Sequence, residues 1–60
     1  MANLNQMELS SIRELTGSHI TMANKLGAYA NQCQDPQIRQ MFQQAAQDCQ
    51  KSAQKLIQML

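Results

Sequence analysis

The stretch Asn31-Gln32-Cys33-Gln34-Asp35-Pro36-Gln37-Ile38-Arg39 decides how this chain folds. Proline fixes φ and has no N–H to leave unpaired, which suits the first position of a helix, and an aspartate just ahead of it is a good N-cap. The residue before a proline is pushed out of the α region, so a preceding helix stops near Cys33 or Gln34. One helix is predicted to end, and another to begin, across a connection of two or three residues.

Upstream, a second start is marked at Asn5. It can cap a helix while Glu8, three residues on, reaches back, and Leu4 and Leu9 stand where a hydrophobic staple would be. Between these marks Ile12, Leu15, His19, Met22, Leu26, Tyr29 and Cys33 recur at alternating steps of three and four. Beyond the turn Ile38, Phe42, Ala45, Cys49, Ser52, Leu56 and Met59 do the same. Such a stripe faces one direction on an α-helix and no single direction on a strand. Met41, Ala46, Ala53, Ile57 and Leu60 widen the second stripe beyond a coiled-coil seam, as a bundle helix requires.

The reading is therefore all-α: a helix over about 6–33, a turn at about 34–35 and a helix over about 36–59. At ~1.5 Å per residue each helix is about 36–42 Å long, and so short a connection folds them back antiparallel. Gly17 and Gly27 interrupt the first helix at about 1 kcal/mol each relative to Ala. They mark either close backbone approach to a neighbour or tolerated surface positions.

Composition limits what such a hairpin can do alone. A chain of 60 residues makes one small domain that buries only about 60% of its unfolded surface. Apolar residues make up 43% of the chain but aromatics only 3%, and Val is absent, which disfavours a β-sandwich or barrel. A lone hairpin cannot cover both apolar faces, whereas two can close a four-helix bundle around one core. A homodimer is expected, or a pairing with a related chain. Its core would hold Ile12, Leu15, His19, Met22, Leu26 and Tyr29 from the first helix, and Phe42, Ala45, Cys49, Ser52, Leu56 and Met59 from the second.

Charge and targeting signals narrow the setting. A net charge of +1 gives no reason to expect nucleic acid or anionic lipid, and Arg13, Lys25, Arg39, Lys51 and Lys55 do not gather on one face. No stretch approaches the roughly 18–20 apolar residues that cross a bilayer. The segment Met1-Ala2-Asn3-Leu4-Asn5 lacks the charged start and apolar run of a signal peptide, so an intracellular location is expected. The two cysteines, Cys33 and Cys49, are too few for a secreted disulfide framework and are read as free thiols. Glutamine occurs eleven times, mostly after position 31, and is assigned to uncharged solvent faces.

The stripe contains one polar layer. Antiparallel folding about Asp35 brings His19 to the level of Cys49 and Ser52, and a histidine there needs a hydrogen-bond partner or a metal. Ser52 or a backbone carbonyl could serve.

The spacing around this layer carries a resemblance. His19, Leu26, Tyr29-Ala30, the turn Gln32-Cys33-Gln34-Asp35-Pro36-Gln37-Ile38-Arg39, and then Phe42, Ala46, Asp48-Cys49 and Ser52 look like a ferritin-like helix pair. More narrowly, the chain is similar to the spore coat protein F family and its short relatives in spore-forming bacteria, from about Glu8 to Leu60. The resemblance implies a spore coat location and a structural, assembly role as a homodimeric ferritin-like bundle, with other coat proteins as further partners. In metal-binding members of the ferritin-like group, such a pair supplies an inward Glu and a Glu-x-x-His. Here His19, Cys49 and Ser52 stand at those positions, so di-iron chemistry is not expected and the chain is read as a non-enzyme with no cofactor.

The alternative is a metal-binding ferritin-like protein, either with zinc held through His19 and Cys49 or with a degenerate di-iron site. Two His19 and two Cys49 meeting about a twofold axis would match a tetrahedral Cys₂His₂ zinc site. The opposing reading is a hydrogen-bonded core histidine with a buried Cys as a small filler. A Cys49–His19 nucleophile pair lacks a cation to lower the thiol pKa, and no glycine-rich phosphate loop is present.

Overall fold

The structure, a computed structural model, describes residues 3–60. Met1 and Ala2, part of the N-terminal segment considered above, lie outside the described residues. Two helices, α1 (Gln6–Gln32) and α2 (Pro36–Ile57), form an antiparallel hairpin, and the described residues contain no strand.

Each helix start is closed by its own side chains. Asn5 Oδ1 accepts from the Glu8 N–H at 2.8 Å, and the Asn5 N–H donates to Glu8 Oε1 at 3.0 Å, a reciprocal capping box. Asp35 Oδ1 accepts from the Gln37 N–H at 2.8 Å and the Ile38 N–H at 3.2 Å, with Pro36 behind it as the first helical residue. The connection between the helices, Cys33-Gln34-Asp35, uses no positive φ, so it needs no glycine. Arg39 completes it. Its Nε and Nη2 donate to the carbonyl oxygen of Cys33 at 3.2 and 2.6 Å, so the first turn of α2 caps the end of α1.

The seam between the helices is built from small side chains. Its buried apolar residues are Ile12, Ala23, Ala30 and Ala53, with Thr16 as the one buried polar residue among those described. The Thr16 hydroxyl donates to the Ile12 carbonyl at 2.7 Å, which removes the cost of burying it. Alanines at a helix contact let the backbones approach closely, and the Cα trace is correspondingly thin, 46 × 15 × 9 Å.

The stripe expected from sequence and the observed seam are offset. On α1 the side chains that face α2 are Ile12, Thr16, His19, Ala23, Leu26 and Ala30, whereas Leu15, Met22 and Tyr29 turn away onto one flank. The reason is geometric. Residues 15, 22 and 29 stand ~100° behind residues 16, 23 and 30 around the helix, and a two-helix contact is narrower than the whole apolar stripe. Neither glycine mediates a close approach within the hairpin, since a Cβ built at Gly17 or Gly27 meets no atom within 4 Å.

Candidate functional site

The hairpin has two broad sides, and helical geometry assigns residues to each. Because the helices are antiparallel, the flank of α1 that carries residues 15, 22 and 29 lies on the same side as the flank of α2 that carries residues 38, 45, 52 and 59. The Tyr29 and Phe42 rings confirm this pairing near the turn, with centroids 6.0 Å apart and planes tilted by 56°. Leu15, Met22 and Tyr29 are each 48% exposed there, and Ile38 and Met59 are 46% and 55% exposed. Leu26, Phe42, Ala45, Cys49, Ser52 and Leu56 are half-buried along the inner margin of the same surface. One side of the hairpin is thus a continuous apolar face with no cover. It contains or borders the residues assigned to a shared core, with Ile12 fully inside the seam.

His19 lies half-buried between this face and the seam. Its Nδ1 stands 2.8 Å from the carbonyl oxygen of Leu15. A carbonyl only accepts, so Nδ1 carries the proton and Nε2 of the neutral ring presents a lone pair. The imidazole is anchored to its own helix rather than to Ser52. Cys33 and Cys49 are free, half-buried thiols. Among the described residues, no group of three or more His, Cys, Asp or Glu side chains is placed to hold a metal ion. A Cys₂His₂ set would draw its ligands from two copies of the chain.

Three features of the site escape a reading of the stripe alone. Thr16, Ala23 and Ala30 form the seam at a spacing of seven, and a heptad of small residues beside a heptad of large ones is the signal that points to them. Arg39 serves as a cap, which its place three residues past Pro36 permits but does not dictate. The third is the row of exposed glutamines along the opposite side.

The Coat F domain model matches residues 12–60. The chain belongs to this family. The Coat F match opens at Ile12, the first buried residue of the seam, and takes in the Asp35-Pro36 turn and the whole apolar face from Leu15 to Met59. No curated protein and no solved structure gives a significant match. No described helix of this Coat F chain is long and apolar enough to cross a membrane.

Proposed function

We propose that this Coat F chain is a non-enzymatic structural component of the spore coat that works by pairing with a second copy of itself into a ferritin-like four-helix bundle. The observation that carries the reading is the uncovered apolar face of Leu15, Met22, Tyr29, Ile38 and Met59. Surface arithmetic supports it. A compact 6.8 kDa protein would expose about 4,000 Å², whereas this hairpin exposes 4846 Å². Its radius of gyration is 14.2 Å, against about 10.4 Å for a compact chain of this length and about 13.6 Å for one of twice the length. Two separate hairpins expose about 3,100 Å² more than one compact body of their combined mass. An interface of that size lies above the ~2,000 Å² at which obligate dimers begin.

In this reading the two apolar faces meet with His19, Cys49 and Ser52 in the middle layer. Those three positions hold no carboxylate, which supports a structural role rather than di-iron chemistry. Sedimentation equilibrium across micromolar concentrations tests the proposal: a two-chain mass with helicity lost on dilution supports it, and a cooperative helical monomer overturns it.

A second reading adds zinc to the same dimer. The backbone bond at Nδ1 orients His19 and leaves Nε2 free, the arrangement in which histidine ligands are held. Metal analysis of untagged protein decides it. Stoichiometric zinc that disappears in Cys49→Ser supports this reading, and metal-free protein with an unchanged melting temperature removes it.

A further inference from the structure

The side of the hairpin opposite the apolar face has its own order. Gln40, Gln43, Gln47, Gln50, Gln54 and Gln58 follow one another at steps of three and four along α2 and its C-cap, and all are exposed. That spacing lines them along one flank over about 27 Å at ~1.5 Å per residue. The flank faces the same way as Asn24 and Ile20 of α1, because Ile20, Asn24, Gln50, Gln54 and Ile57 line one groove above Ala23 and Ala53. Ile20 and Ile57 are 45% and 48% exposed in it. Most other charges lie elsewhere. Glu14 and Lys25 occupy the outer edge of α1, and Asp48 and Lys55 that of α2; Lys51 borders the glutamine row, and helical spacing brings Arg13 and Arg39 to the amide side.

We infer that this amide-lined face is a second self-association surface, whose occupant is the same face of another copy of the chain. A primary amide offers two donors and an acceptor oxygen, so a row of amides is complementary to itself. A row of carboxylates or ammonium groups would repel its own copy. Ile20 and Ile57 supply an apolar patch toward the C-terminal end of the row, and the glutamines supply hydrogen-bonding groups beside it, a combination found in protein–protein contacts. A net charge of +1 leaves little general repulsion to oppose association. The contact itself does not depend on the apolar-face dimer; only the form of the assembly does. With both faces in use, each thin hairpin carries two isologous contacts on opposite sides, and their alternation builds an open stack rather than a closed dimer.

The test compares wild type, the triple variant Gln47→Glu/Gln50→Glu/Gln54→Glu, and Met22→Asp by sedimentation velocity over a hundredfold concentration range. Glu and Gln have similar helix propensities, so circular dichroism verifies that the triple variant stays helical. Wild type is expected to grow beyond the dimer with concentration. The triple variant should remain a dimer to at least tenfold higher concentration, with growth partly restored by 0.5 M salt, which screens the new charges. Met22→Asp should still pair through the amide face even if its apolar contact is lost. Should the apolar-face reading fail while this one holds, wild type dimerises, Met22→Asp also dimerises, and the triple variant is monomeric. Growth of the triple variant identical to wild type overturns the inference. So does a wild type that never exceeds a dimer while the triple variant dimerises equally, because the one contact in use is then not the amide face.

Discussion

Replacing Met22 by aspartate separates a wet apolar face from a buried one. Met22 is 48% exposed in the hairpin, and its neighbour Thr21 is also exposed but points to the outer edge of α1. In a lone hairpin, Met22→Asp and Thr21→Asp are both surface changes, each within about 0.5 kcal/mol of neutral. In the proposed dimer they differ sharply. Removing the part of Met22 still open to burial costs about 1 kcal/mol per chain. An unpaired carboxylate in the interface adds a desolvation cost, but protonation limits it: driving the pKa from ~3.9 to 7 costs about 4 kcal/mol at ~1.36 kcal/mol per unit. Both terms occur in each chain, so the upper limit at pH 7 is about 10 kcal/mol per dimer, roughly seven orders of magnitude in the dissociation constant. The carboxyl pKa is raised in the dimer relative to the free chain, so the penalty is fully present above the raised value and lifts as pH falls toward ~3.9. At pH 4.5 it is below about 1 kcal/mol per chain, and the dimer should partly return. Sedimentation equilibrium with far-ultraviolet circular dichroism at pH 7 and 4.5 reads both effects. If Met22→Asp matches Thr21→Asp in mass and stability at pH 7, the apolar face is not an interface.

The turn and the first helix yield the remaining predictions. Asp35→Ala removes an acceptor for two N–H groups and should lower stability by about 1 kcal/mol per chain in urea unfolding, with Asp35→Asn recovering most of the loss. Arg39→Ala leaves the Cys33 carbonyl to solvent; because the guanidinium is exposed, the loss should be smaller, about 0.5–1 kcal/mol, and Arg39→Lys should restore only part of it. Gly17→Ala should raise stability by up to about 1 kcal/mol, since its Cβ enters open space in an exposed helix interior. A loss of stability there would reveal a close approach from a second chain.

How far the sequence reaches depends on whether a signal is local. The caps at Asn5 and Asp35 are local, because each joins a side chain to N–H groups two or three residues away, and they show in the sequence as Asn-x-x-Glu and Asp-Pro. The rotation of each helix about its axis is not local. Ile12, Leu15 and Thr16 all lie on or next to the apolar stripe of α1, and which of them turns inward depends on the width of the contact with α2. Periodicity fixes the mean direction of the stripe, and that mean falls between the seam and the open face. Arg39 is a middle case: its cap spans six residues, so the spacing permits it while the path of the connection between Cys33 and Asp35 determines it.

The offset between seam and stripe bears on what the hairpin is for. A sequence suited to a solitary hairpin would place its largest apolar side chains between the helices, where each removes about 1.5–3 kcal/mol worth of surface from water. This chain does the reverse. Thr16, Ala23 and Ala30 on α1 and Ala46 and Ala53 on α2 take the inner positions, while Leu15, Met22, Tyr29, Ile38 and Met59 stand outside them. Small residues draw the two helices together, but their burial gains little because they have little surface to lose. The stabilising area is therefore displaced to one flank, where only another body can cover it. The helix pair behaves as half of a core, shaped by its alanines and completed by whatever meets Leu15, Met22 and Tyr29.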